Sequence, residues 1–174
     1  MVNGFTYYPA FLSADETASL TKEVSSLTFR QDTFRGVVMR RTIVCYGNEY
    51  SAKHRSARTP APPIPPYLSP VRDRAASIAS VDNAALTQAI IWRYPPTVGI
   101  GWHVDHRDYG PVICGVSLAA AAVIRLKRGD EEQRFTLEPG SLYILRDEAR
   151  YEWMHKVDGN REERYSITFR SMRE

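Results

Sequence analysis

The chain has 174 residues, a formal net charge of +3, 43% apolar and 25% charged residues. Those proportions suit one domain, residues 1–174, with one core, and no apolar run approaches the roughly 20 residues a membrane helix needs. Cys45 and Cys114 are the only cysteines, and no basic stretch followed by an apolar one opens the chain. This points to free thiols in a reducing, intracellular (cytoplasmic) compartment and excludes a four-cysteine zinc site. The expected form is a monomer.

In chain order, Ser13-Ala-Asp-Glu16 forms a capping box, and Leu20, Val24 and Leu27 then recur at helical spacing, predicting an amphipathic helix over 13–28. Val37 to Tyr46 is rich in β-branched residues and reads as a strand. The run from Thr59 to Pro66 cannot be helix or central strand, because proline lacks the N–H and fixes φ, so it is an extended connector. Ser69 before Pro70 reads as a cap ahead of a first-turn proline, and Val71, Ala75, Ile78 and Ala79 supply an apolar face for a second helix over 70–80. From residue 88, β-prone runs follow one another at 88–94, 111–118, 121–128, 133–137, 141–146, 151–157 and 164–170, separated by Gly, Pro and Asn turns. The pattern predicts an α+β chain: two helices in front, then a β-rich sandwich or barrel.

Charge is uneven. Lys22, Arg30, Arg35, Arg40, Arg41, Lys53, Arg55 and Arg58 face only Glu23, Asp32 and Glu49 between residues 22 and 58. Such an excess is compatible with phosphate contacts and equally with a solvated face.

Three features carry chemistry. His103-Val-Asp105 follows a Gly-containing segment, and on extended backbone residues i and i+2 point to one side, so an imidazole and a carboxylate can meet one ion. His155 lies 52 residues later in another predicted strand. Two histidines and one carboxylate form the facial triad of non-haem Fe(II) oxygenases, which leaves positions open for a cosubstrate and O₂, although zinc hydrolases use the same donor types. Finally, alternation along Arg164-Tyr-Ser-Ile-Thr-Phe-Arg170 sets Arg164, Ser166, Thr168 and Arg170 on one face and Tyr165, Ile167 and Phe169 on the other. Paired guanidinium groups on one side of a strand suit a dianion.

H-x-D, a distal His and R-x5-R near the C-terminus together resemble the AlkB family of Fe(II)/2-oxoglutarate-dependent dioxygenases. The approach Arg93-Tyr94-Pro-Pro-Thr-Val-Gly-Ile100-Gly-Trp-His103 is similar to that family's, as are Val116-Ser-Leu118 and Pro139-Gly-Ser-Leu142. The likeness is specific over 88–170 and looser over 36–70, where Arg41 to Gly47, Tyr50-Ser51 and the proline-rich run resemble a nucleotide-recognition lid. The resemblance implies a double-stranded β-helix (jelly roll) with flanking N-terminal helices. It implies Fe(II) on His103, Asp105 and His155. It implies 2-oxoglutarate with its distal carboxylate on Arg164 and Tyr94, Arg170 beside the chelating carboxylate, and Trp92, Ile100, Ser166 and Thr168 lining the pocket. The lid likeness suggests Tyr46, Tyr50, His54 and Arg58 as substrate contacts, with Arg107 also near the substrate.

Three positions depart from the founding bacterial pattern: Trp92 and Ser166 stand where asparagines are usual, and Arg107 replaces an acidic residue. The implied reaction, with O₂, is oxidative demethylation of an N-alkylated base in DNA or RNA. The departures motivate a second reading, the same chemistry on a protein side chain or small molecule. A non-enzymatic jelly-roll binding module is the third. His106 and Asp108 read either as a solvated loop or as substrate contacts, and Trp102 and Trp153 as packing around the site, with stacking on a base as the alternative.

Overall fold

The structure, a computed structural model, describes residues 2–34, 37–51 and 56–173. In chain order the elements are β1 (Phe5–Tyr8), α1 (Ala14–Ser25), β2 (Arg30–Phe34), β3 (Val37–Tyr46), β4 (Asn48–Ser51), β5 (Ser56–Pro60), α2 (Ser69–Ile78), β6 (Gln88–Tyr94), β7 (Ile100–His103), β8 (Tyr109–Leu118), β9 (Ala122–Arg128), β10 (Glu131–Leu137), β11 (Leu142–Leu145), α3 (Asp147–Tyr151), β12 (Met154–Val157) and β13 (Arg164–Met172). Seven strands form a larger sheet in the order β1-β11-β8-β13-β6-β3-β2, and four form a smaller one, β10-β9-β12-β7. β4 and β5 pair only with each other.

Alternation decides which face each side chain takes. On β13, Tyr165, Ile167 and Phe169 point outward, where Leu20 and Val24 of α1 and Val71, Ala75 and Ala76 of α2 cover them. Emptying a fully buried site such as that of Phe169 costs about 3–5 kcal/mol. The opposite face looks into the space between the sheets. There Ile113, Tyr143 and Leu145 of the larger sheet meet Ile124, Leu126 and Val157 of the smaller. Two antiparallel sheets face to face, with helices on the outside of the larger one, make the jelly roll that the sequence predicts.

The capping box of α1 is formed: Ser13 Oγ accepts from the Glu16 N–H at 3.2 Å, and the Glu16 carboxylate accepts from the Ser13 N–H at 2.8 Å. Such a cap is worth about 1 kcal/mol. Other local expectations need correction. Ser69 does not cap α2. A 3-10 turn, Pro66–Leu68, runs straight into the helix, so Ser69 is its first residue and makes no side-chain cap bond. The run 151–157 is not one strand, because α3 ends at Tyr151 and β12 begins at Met154. The strand read over Val37 to Tyr46 is present as β3, paired with β6, but the front half holds edge strands that were not read: β1 extends one edge of the larger sheet on β11, and β2 the other on β3. Short edge strands bury one face or none, so they lack the apolar alternation that makes central strands legible.

Candidate active site

β7 and β12 are neighbours in the smaller sheet, and their register sets His103 opposite His155. The two ring centroids are 4.2 Å apart. Asp105 lies two residues beyond the end of β7, and its Oδ2 stands 3.5 Å from His155 Nε2. The ligand-capable atoms of all three side chains fall within 4.8 Å of one another. The convergence differs from the expectation in one respect. Asp105 is outside the strand, so the ladder hydrogen bonds that hold His103 do not reach it.

Protonation is set by the same contacts. His103 Nδ1–H donates to the Gly101 carbonyl at 2.8 Å, which fixes the tautomer and leaves Nε2 as a lone-pair donor. Burial lowers the His103 pKa. Burial pushes His155 down to about 3, with His103 adding to the effect. For Asp105, burial acts upward, but the Arg170 guanidinium and then the two imidazoles outweigh it and hold the carboxyl below its ordinary range. Two neutral imidazoles and one carboxylate are the state a divalent cation requires, and none has to lose a proton first.

Deeper in the sandwich, Arg170 Nη2 donates to Asp105 Oδ1 at 2.9 Å, and its guanidinium lies over the Tyr109 ring, 4.5 Å from the centroid. Arg164 differs. It is buried, reaches Ser117 Oγ at 3.3 and 3.4 Å, and lies over Tyr94 at 5.2 Å. No carboxylate among the described residues pairs with it. A buried guanidinium keeps its proton, so this charge is uncompensated, an arrangement that is costly unless an anion arrives. The pocket it lines is completed by Trp92, Tyr94, Ile100, Tyr143, Ser166 and Thr168, and it opens onto His103, Asp105 and His155. Gly115 makes room for one wall, because a Cβ there would meet the Tyr143 ring at 2.1 Å.

The sequence model of the 2OG-Fe(II) oxygenase superfamily matches residues 4–170, a span that holds the triad and both arginines. The chain belongs to this superfamily. It is AlkB-like within it, an oxidative dioxygenase whose cofactors are Fe(II) and 2-oxoglutarate. It is 28% identical over 186 aligned positions to "Uncharacterized protein L905" of Acanthamoeba polyphaga mimivirus, covering 98% of this chain and 86% of that one. It is 29% identical over 155 positions to the mouse (Mus musculus) "Alpha-ketoglutarate-dependent dioxygenase alkB homolog 7, mitochondrial", covering 86% of this chain and 65% of the relative. Among solved structures it is similar to OsALKBH1, with a TM-score of 0.76 at 16% identity and 98% of each chain covered. The donors of the oxygenase fit its cofactors: the triad could hold the metal, and Arg164 with its neighbouring hydroxyls could hold the far carboxylate of the cosubstrate.

Outside the triad lies a cleft of about 1130 Å³, bordered by β2, β3, the 97–106 segment, Trp92 and Arg170. Of the substrate contacts suggested by the lid likeness, His54 and the side chain of Tyr50 lie outside the described residues. Tyr46 does not face the cleft. Alternation on β3 gives the cleft face to Ile43 and Cys45 and turns Val44 and Tyr46 to the helix side. Arg58 is exposed and donates to the Arg173 carbonyl, and neither it nor the exposed Arg107 lines the cleft. His106 does line it. Trp153 is buried in the interior cluster, while Trp102 is partly exposed on the outer face of the smaller sheet, between Arg125 and Lys156.

Sequence reasoning missed Arg150. Its guanidinium is buried and donates to four carbonyls, those of Asp105 (3.2 Å), His106 (2.8 Å), Tyr109 (3.1 Å) and Gly110 (3.2 Å). It therefore clamps the loop that carries Asp105. A basic residue in a five-residue helix carries no signal of that role in sequence; only the convergence of four carbonyls identifies it.

Proposed function

We propose that this oxygenase removes N-alkyl groups from bases of nucleic acid, with Fe(II) on His103, Asp105 and His155. In the proposal Arg164, beside Tyr94 and Ser117, receives the distal carboxylate of 2-oxoglutarate, Ser166 and Thr168 share that face, and Arg170 holds Asp105 ionised and in place. When bound with O₂, iron and 2-oxoglutarate supply the oxidation: one oxygen atom enters an N-methyl C–H bond and the other leaves in succinate, with CO₂ released. The resulting N-hydroxymethyl group collapses to formaldehyde and the free amine. The chain's own part is to fix the donors, seat the cosubstrate in a water-poor pocket and hold the target carbon near the metal.

The observation that carries the nucleic-acid reading is the cleft. It is large enough for a base, meets the triad, offers the Trp92 indole as a wall and has Arg30, Arg40 and Arg41 around it. Formaldehyde release should be measured on single- and double-stranded DNA and RNA carrying N-methylated bases, with binding followed against salt. Release from one of these, with affinity falling as salt rises, supports the reading; no release from any of them removes it.

A second reading, a protein side chain or small molecule as substrate, is favoured by the cleft's outer part. Val37 and Val38 are 69% and 57% exposed there, and Arg30 is already paired with Glu49 and Asp32. Stimulation of 2-oxoglutarate decarboxylation by methylated peptides or amines, but not by oligonucleotides, would select it.

A further inference from the structure

Trp92 is part of the partition between the two cavities: like Ile100, His103, Asp105 and Arg170, it lines both the inner pocket and the outer cleft. Arg41 lies on the cleft side of that partition. β3 and β6 pair with Ile43 opposite Trp92, so Arg41, two residues earlier on the same face, reaches diagonally across the pair. Its guanidinium sits over the indole, 4.1 Å from the ring centroid.

The pairing of the cleft's cations sets Arg41 apart. Arg30 meets Glu49 and Asp32, Arg170 meets Asp105, and Arg40, exposed at the cleft's border, reaches the Thr97 hydroxyl at 3.4 Å. Arg41 is half-buried, its Nε is buried without a hydrogen-bond partner, and no carboxylate among the described residues pairs with it. A guanidinium held over an indole has its position restrained while N–H groups stay available, the arrangement that can recognise an oxyanion.

We propose that Arg41, held on Trp92, is a specificity-determining residue of the cleft and binds an oxyanion of the substrate next to the reacting carbon. Resting on the nucleic-acid reading, that oxyanion is the phosphodiester adjoining the methylated base. The stack makes Trp92 a two-sided element, wall of the cosubstrate pocket on one side and platform for the substrate-reading guanidinium on the other.

The test compares wild type, R41K and R41A on an N-methylated nucleoside, which has no phosphate, and on a dinucleotide carrying the same base with one phosphodiester. Formaldehyde release gives kcat and KM, and the KM for 2-oxoglutarate monitors the inner pocket. The wild type should prefer the dinucleotide. R41A should cut that preference about 10- to 100-fold, the value of a charge-assisted bond, through KM more than kcat, and R41K should restore part of it. Absence of the preference in wild type, or an equal loss on both substrates in R41A, would overturn the assignment and leave Arg41 as packing for Trp92.

Turnover of neither substrate by wild type, nor of the methylated DNA and RNA strands, would instead sink the nucleic-acid reading. The oxyanion site is then decided by titrating dimethyl phosphate and acetate into protein loaded with Mn(II) and 2-oxoglutarate and following tryptophan fluorescence. A saturable change that R41A abolishes upholds the site, with the better ligand showing whether a phosphate or a carboxylate is read. The same response in both proteins, or none, overturns it.

Discussion

The inner pocket is walled by the middle of the larger sheet. Arg164, Ser166, Thr168 and Arg170 lie on β13 with β6 on one side and β8 on the other, and each is less than a tenth exposed. The outer cleft is walled by β3 and β2 at the sheet's edge and by the 97–106 segment, with Val37 and Val38 standing largely in solvent. A side chain on a strand held from both sides has its direction fixed by register and by packing behind it. At Val37 and Val38 β3 is paired with β2 alone, since its pairing with β6 covers Thr42 to Tyr46, so one side leaves them unconstrained. The difference teaches how one scaffold can fix the pocket proposed for the cosubstrate while leaving the choice of substrate to side chains that the core does not need.

On that division the largest effect belongs to the proposed metal ligands. Asp105→Ala removes a donor and strands Arg170 without its partner. Mn(II) affinity, read by calorimetry, should fall more than about 100-fold, beyond the roughly 10- to 100-fold typical of groups that only orient ligands. Retained affinity would break the assignment of the triad. Next comes the clamp behind it. Arg150→Gln leaves buried carbonyls unsatisfied at about 1–3 kcal/mol each, so stability should fall by about 3 kcal/mol, which for a chain of this size lowers Tm by about 10 °C. R150Q should also weaken Mn(II) binding, because the Asp105 carbonyl is one of the four acceptors. A loss of stability with metal affinity unchanged would show that the clamp serves the loop and not the site.

The two regions also differ in how far they could be read in advance. The triad and the Arg-Ser-Thr-Arg face were legible because buried strands impose strict alternation, and because His, Asp and Arg rarely sit in a core without a partner. The helix-covered face of β13 was legible for the same reason. Trp92 was read as a departure from a pattern and as lining the cosubstrate pocket, and its contact with Arg41 appears once β3 is paired with β6. Tyr46 was assigned to the substrate side from a motif likeness, and alternation on β3, applied from Ile43 onward, would have turned it to the helices. Arg41 and Arg150 act through contacts with residues distant in sequence, an indole in one case and four carbonyls in the other, and no local pattern encodes either.

Arg164→Ala sharpens the comparison from the cosubstrate side. Removing the unpaired guanidinium should raise the KM for 2-oxoglutarate about 10- to 100-fold, whereas Val37→Ser with Val38→Ser should leave that KM alone. Equal effects from the two variants would mean that pocket and cleft are one energetic unit.

The smallest effect is on pH and again separates the regions. In the apoprotein the His155 pKa lies far below its ordinary 6.5, because burial and the neighbouring His103 disfavour the charged ring. As pH falls below about 6.5 the unfolded chain binds a proton that the native site refuses, so stability must fall, by at most about 1.4 kcal/mol per pH unit. Asp105 has the same sign in a lower window: its folded pKa is depressed, so its contribution is present above its ordinary 3.8 and is lost only as pH drops beneath that value. Between pH 6.5 and 4, then, the slope of denaturation midpoint against pH should come chiefly from the buried imidazoles. His155→Gln, which cannot take up a proton, should flatten it, and the Val37 and Val38 substitutions should not. An unchanged slope in H155Q would mean that the buried imidazole is charged in the empty site, and the protonation state argued for the triad would be wrong.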